Sequence, residues 1–161
     1  MMADGHTYTG ILVGTLQKQM QILQEILSLT KEQTEIAGAV SLDEEKLEKS
    51  MNAKEILIAK LNELDAGFDA VYERVRIEVR ENKELYKEEI KKMQDLIRHC
   101  TDLGVEIRVL EDRNKQRFEQ LFRNKKKEYG SAKTAAQVAS HYQRTMSNTK
   151  ILDPFFLDKK K

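Results

Sequence analysis

The chain has no tryptophan, a single cysteine (Cys100), a single proline (Pro154) and seven scattered glycines, and only 6% of its 161 residues are aromatic. One cysteine excludes an intrachain disulfide and a cysteine-built zinc centre, and it fits a reducing compartment. Low aromatic content with 34% charged residues argues for long, solvated helices rather than a thick globular core. Uninterrupted apolar runs are only a few residues long, so no transmembrane helix or membrane insertion is expected. The opening "MMADGHTYTG" has no basic region and no apolar run, so no secretory signal is expected. The location these features imply is cytoplasmic.

Catalytic patterns are also missing. His6, His99 and His141 lie far apart, with no spacing partner for a metal. His99 and Cys100 are neighbours, but adjacent helical residues point about 100° apart. Cys100 lies on an apolar stripe and reads as a buried structural thiol. Glu44–Glu45 and Glu88–Glu89 read as solvated helix-surface charges. No glycine-rich phosphate loop is present. Neither enzymatic activity nor a cofactor or metal is expected.

Charge is unevenly placed. The formal net charge is +1, but residues 1–122 carry 18 basic and 24 acidic groups, and residues 123–161 carry 10 basic and 3 acidic. A basic tail can meet an acidic partner, a membrane surface or nucleic acid. The run "RNKKKEYG" at 123–130 reads more simply as a basic helix C-terminus. The acidic body repels phosphate, so nucleic acid is not an expected partner.

Apolar periodicity defines the elements. Leu12, Leu16, Met20, Leu23 and Leu27 recur at steps of three and four, widened by Ile22, Ile26 and Leu29, and predict a helix over 7–39. Ser41 followed by Glu44 fits a capping box. Leu47, Met51, Lys54, Ile58 and Leu61 then predict a second, antiparallel helix over 42–64. Gly67 suits a helix end and Asp69 a new cap, so a third helix is expected from 68 to 127, kinked near Asn82 or Gly104. At 1.5 Å per residue it reaches about 90 Å, against about 50 Å for the first helix. Its stripe runs through Met93, Ile97, Cys100, Ile107, Leu110, Phe118, Leu121 and Phe122. Asn114 on that seam reads as a register-setting polar residue, or as a hydrogen-bonding group in a partner groove.

Residues 129–161 lose this period and are expected to form a basic, largely flexible tail to a helical body over 1–128, with 129–150 flexible or weakly helical. Val138, Tyr142 and Met146 sit four apart and form one apolar face if bound to something. The ending "ILDPFFLDKKK" carries Pro154, Phe155 and Phe156. Its apolar content predicts docking on an apolar surface, with a frayed terminus as the alternative. The expected fold is all-α: an elongated antiparallel helical hairpin or three-to-four-helix bundle with one very long C-terminal helix and a flexible tail.

Two stretches resemble a known family. "LQKQMQILQEILSLTKEQTEIAGAVSLDEEKLEKSMNAKEILIAKLNEL" is similar to the opening of FlgN-type flagellar export chaperones, with Lys54, Leu57, Leu61 and Leu64 on the family's second-helix pattern. "LIRHCTDLGVEIRVLEDRNKQRFEQLF" resembles its second signature through Thr101, Leu103, Ile107, Leu110, Glu111 and Asn114. The resemblance covers roughly residues 10–125. It implies a cytoplasmic chaperone that holds C-terminal helical segments of hook-associated (hook–filament junction) proteins and delivers them to the flagellar export gate. It also implies gate docking through a tyrosine in the C-terminal segment, for which Tyr129 and Tyr142 are the candidates.

A cargo helix needs a long apolar groove with anchors at i, i+3, i+4 and i+7. Met93, Ile97, Leu103, Ile107, Leu110, Asn114 and Phe118 are the candidate cargo-binding residues, and Met20, Met51 and Met93 offer adaptable contacts. The competing readings are a structural coiled coil or self-associating spacer, and a secretion chaperone for other cargo.

Overall fold

The structure, a computed structural model, describes residues 5–129 and 132–149; in the runs 125–129, 132–136 and 146–149 it describes the backbone alone. The termini, including "ILDPFFLDKKK" and its expected docking, lie outside the described residues. The described chain is all-helical, as its periodicity predicts. Four helices follow in order: α1 (Gly5–Gly38), α2 (Glu44–Glu81), α3 (Lys87–Tyr129) and α4 (Ala132–Thr149).

The long helix expected over 68–127 is divided, and at another place than Gly67. α2 runs straight through Gly67, because Leu61, Phe68 and Val75 continue one buried stripe at seven-residue steps. Burying those side chains outweighs the roughly 1 kcal/mol that glycine costs inside a helix. The break comes at 82–86, where Glu81, Asn82, Lys83, Glu84 and Leu85 are all exposed and no core holds the helix together. There the Asn82 backbone N–H donates to the Glu78 carbonyl at 3.0 Å, and its side-chain amide donates to the same oxygen at 2.9 Å. α3 restarts at once, with the Ile90 N–H donating to the Tyr86 carbonyl at 2.8 Å. Gly104 stays inside α3, and the mismatch in helix lengths disappears with the break. The N-cap of α2 is Asp43 rather than the expected Ser41, its carboxylate accepting from the Lys46 N–H at 3.1 Å.

Cross-helix contacts fix the directions. Gln19 reaches Asp65 and Gln33 reaches Ser50, so α1 and α2 are antiparallel. Cys100 lies by Leu16 and Asn114 by Thr30, so α3 runs parallel to α1. At the far end, His6 Nδ1 lies 2.6 Å from the Glu89 carboxylate and its ring packs 4.7 Å from Tyr86. The Tyr86 hydroxyl donates to Glu78 at 3.0 Å. Gly5 sits beneath that tyrosine, where an added Cβ would strike its hydroxyl. The hydrogen bond from His6 holds the Glu89 carboxyl below its ordinary range.

The core forms three apolar clusters along the bundle axis. One centres on Leu12, Leu16, Phe68, Met93 and Ile97. The middle one joins Leu23, Ile26, Ile58, Leu61, Cys100 and Ile107. The third joins Ile36, Leu47, Met51, Phe118 and Leu121 to Val138 and Tyr142 of α4. Cys100 is fully buried and its thiol is pushed up to about 12 by desolvation, so it is an inert packing residue.

Candidate functional site

A polar layer separates the middle cluster from the third. Its centre is Lys54 of α2, which pairs with the Glu111 carboxylate of α3 and donates to Gln33 of α1 at 3.0 Å. Gln33 donates in turn to the Ser50 hydroxyl at 3.0 Å. On the other side, Asn114 donates to the Thr30 carbonyl at 3.1 Å and accepts from the Thr34 hydroxyl at 2.9 Å. Asn114 therefore works inside the bundle, where it ties α3 to α1 at one register. Burial pulls the Lys54 ammonium down to about 7. Glu111 keeps one oxygen, Oε2, without a hydrogen-bond partner.

Beyond this layer α4 lies in the groove between α2 and α3. It lies in the segment expected to be flexible or weakly helical, and it is a helix with a packed face. Among its described side chains, Val138, His141, Tyr142 and Thr145 are buried, at positions i, i+3, i+4 and i+7. That is the anchor spacing of a helix bound in a groove. The Tyr142 ring meets Phe118 edge-on at 4.9 Å and Phe122 at 6.4 Å. His141 is held between two α2 carboxylates, with Nδ1 3.0 Å from Glu48 and Nε2 2.6 Å from Glu55. The Thr145 hydroxyl donates to Glu55 at 3.2 Å.

The two sides of this seat are unequal. The body offers Leu47, Met51, Phe118, Leu121 and Phe122, while the described side chains of α4 answer with two apolar anchors and two polar ones. The Tyr142 hydroxyl is buried with no hydrogen-bond partner. Burial pushes its phenol well above the ordinary range, with the Glu119 and Asp112 carboxylates adding to the effect.

The sequence-predicted cargo residues share one face of α3, and that face is turned into the chain's own core. Met93, Ile97, Ile107, Asn114 and Phe118 are buried; Leu103 and Leu110 are half-buried. Only Phe118 adjoins the seat of α4. Of the gate-docking candidates, Tyr142 is buried on the packed face of α4, and the Tyr129 side chain lies outside the described residues. His141 and its two glutamates were not foreseen, because 93 and 86 residues separate the ring from its partners.

A second surface feature lies on the flank of α1 and α2. There an open groove of about 730 Å³ has Ile22, Leu57 and Leu64 on its floor and Lys18, Glu25, Lys60 and Glu63 along its rim. Among the described residues, no cluster of three or more His, Cys, Asp or Glu side chains is placed to hold a metal ion. None of the described helices is long and apolar enough to cross a membrane. No protein-family model, curated protein or solved structure matches the chain.

Proposed function

We propose that the protein is a cytoplasmic flagellar export chaperone of the FlgN type. It binds a helical C-terminal segment of a hook–filament junction protein in the groove between α2 and α3 and delivers it to the export gate. The observation that supports this reading is the unequal seat of α4. A strongly apolar groove holds a helix with groove-binding spacing, yet two of the four anchors among its described residues are polar. A cargo helix with apolar residues at all four anchor positions gains about 1.5–3 kcal/mol for each extra side chain it buries. Such a helix takes the place of α4. Its arrival frees Tyr142, so the gate-docking tyrosine is presented only when cargo is aboard.

The test is co-expression of the chain with the hook-junction and filament-cap proteins of the same genome, followed by affinity capture. The full chain is expected to capture a junction protein about one to one. A version ending at residue 131 is expected to capture it more tightly but not to reach the gate. Capture of no flagellar protein by either version overturns the proposal.

A further inference from the structure

The groove on the α1–α2 flank is separate from the seat of α4, and its chemistry points to a different occupant. Its rim carries two lysines and two glutamates. Among the described residues, none of Lys18, Glu25, Lys60 and Glu63 is paired with another charged group. Four exposed charges of balanced sign, none paired with another charged group among the described residues, stand around an apolar floor and do not suit a ligand of one charge. They suit a surface carrying the same pattern in reverse.

α1 itself carries that pattern. A helix turns 100° per residue, so Gly14, Lys18, Gln21, Glu25 and Leu29 fall within a stripe of about 80° on the outer flank. Lys18 and Glu25 stand equally far from a point between Gln21 and Ile22, on opposite sides of it. So do Gly14 and Leu29. A side chain at Gly14 would meet nothing within 4 Å, so the position is an open hollow. Leu29 is half-buried and leaves part of its side chain outside. Further along the same flank, Ile11 is 47% exposed.

We propose that this face binds a second copy of the chain, with the two α1 helices antiparallel about a two-fold axis beside Gln21 and Ile22. Such an interface is self-complementary, each contact occurring twice. Lys18 meets Glu25 of the second copy, and Glu25 meets its Lys18. Leu29 fills the hollow at Gly14, twice over. Ile22, Leu57 and Leu64 leave water together near the axis. A parallel arrangement is excluded by the same pattern, because it sets Lys18 against Lys18 and Glu25 against Glu25, and like charges in register repel.

The two-fold makes an unusual demand that can be measured. Sedimentation equilibrium of the full chain is expected to show a concentration-dependent dimer. Lys18→Glu alone sets glutamate against glutamate at both ends, and Glu25→Lys alone sets lysine against lysine. Each is expected to weaken the dimer by roughly tenfold or more. An equimolar mixture of the two variants restores opposite charges at both ends, so it is expected to recover dimer that neither variant forms alone. The double variant Lys18→Glu/Glu25→Lys is expected to dimerise like the parent. All are surface changes, and circular dichroism should show unchanged helix content. A chain monomeric at all concentrations, a dimer indifferent to the reversals, or a mixture no stronger than its components would each overturn the proposal.

Discussion

Lys54 of α2 and Glu111 of α3 meet across the axis of the bundle, with only 1% and 3% of their side-chain surface exposed. Neither has another charged partner in the layer; Gln33, Ser50, Thr30, Thr34 and Asn114 complete it with neutral groups. Buried pairs of this kind add little net stability but are expensive to break, because the survivor is left charged and unpaired. The pair joins α2 to α3 at one level of the bundle, and a shift of either helix would separate lysine from glutamate.

The first prediction separates those two effects. Lys54→Ala or Glu111→Ala alone should cost about 3–5 kcal/mol in urea unfolding. Lys54→Met with Glu111→Leu should come within about 1–2 kcal/mol of the parent, or exceed it. Single variants as mild as the double would show that the layer is solvated and the pair incidental.

The depressed lysine predicts a pH dependence. In the unfolded chain Lys54 titrates near 10.5, and in the folded chain near 7. Between those values the unfolded state holds a proton that the folded state lacks. Stability therefore rises with pH across that window, by up to about 1.4 kcal/mol per unit. Below pH 7 both states are protonated and this contribution to the slope vanishes. Urea titrations at pH 7, 8 and 9 should show the rise in the parent and a flatter line in Lys54→Met; equal slopes would refute it.

At the opposite end, the His6 contact depresses the Glu89 carboxyl, so the sign is reversed. Its stabilising effect is present above the unfolded carboxyl value and fades as pH falls through the lower folded one. Amide protection factors at Tyr86–Ile90, corrected for the intrinsic exchange rate at each pH, should fall on acidification in the parent. Glu89→Gln should show lower protection at neutral pH and less acid dependence. A variant with the parent's profile would remove the His6–Glu89 contact as the cause.

These contacts mark how far the sequence could be read. The three apolar stripes were legible, because Leu12, Leu16 and Leu23, Met51 and Ile58, and Ile97 and Ile107 keep helical spacing and all are buried. The α2–α3 break was expected only as a kink near Asn82, because Gly67 looked like the helix end, while the missing apolar seam at 81–85 carried the stronger signal for a full break. Lys54 sat visibly on an apolar stripe, as did Asn114. The sign of a polar layer was that Gln33 and Thr30, Lys54 and Ser50, and Glu111 and Asn114 interrupt all three stripes. Reading them as one layer requires knowing which turns lie side by side. The candidate cargo face meets a related limit: periodicity shows that a face of α3 is apolar, but not that α1 and α2 cover most of it.

Ile107 tests that correction. It is fully buried among Leu23, Ile26, Ile58 and Cys100. Ile107→Asp places a carboxylate in that cluster and should cost about 4 kcal/mol or more, enough to lose most helical signal on mild warming. Lys115→Asp, on the exposed side of α3, should stay within about 0.5 kcal/mol of the parent. A folded Ile107→Asp chain with normal cooperativity would return the residue to the list of surface anchors.

The last prediction concerns Tyr142, whose ring is well packed and whose hydroxyl is not. The ring gains from its edge-on contact with Phe118, but the buried hydroxyl has given up its water and found no partner. An unsatisfied buried hydroxyl costs about 1–3 kcal/mol. Tyr142→Phe removes that cost and keeps the ring, so α4 should hold to its seat more firmly. His141→Ala acts the other way, leaving Glu48 and Glu55 without the ring that bridges them. Amide exchange within 137–145 should therefore slow in Tyr142→Phe and quicken in His141→Ala, while the amides of α1 stay as they are. If α4 is the helix that cargo displaces, affinity for cargo must run opposite to the firmness of its seat: weakest for Tyr142→Phe, strongest for His141→Ala. Affinity that rises where exchange slows would show that α4 supports the cargo site instead of occupying it.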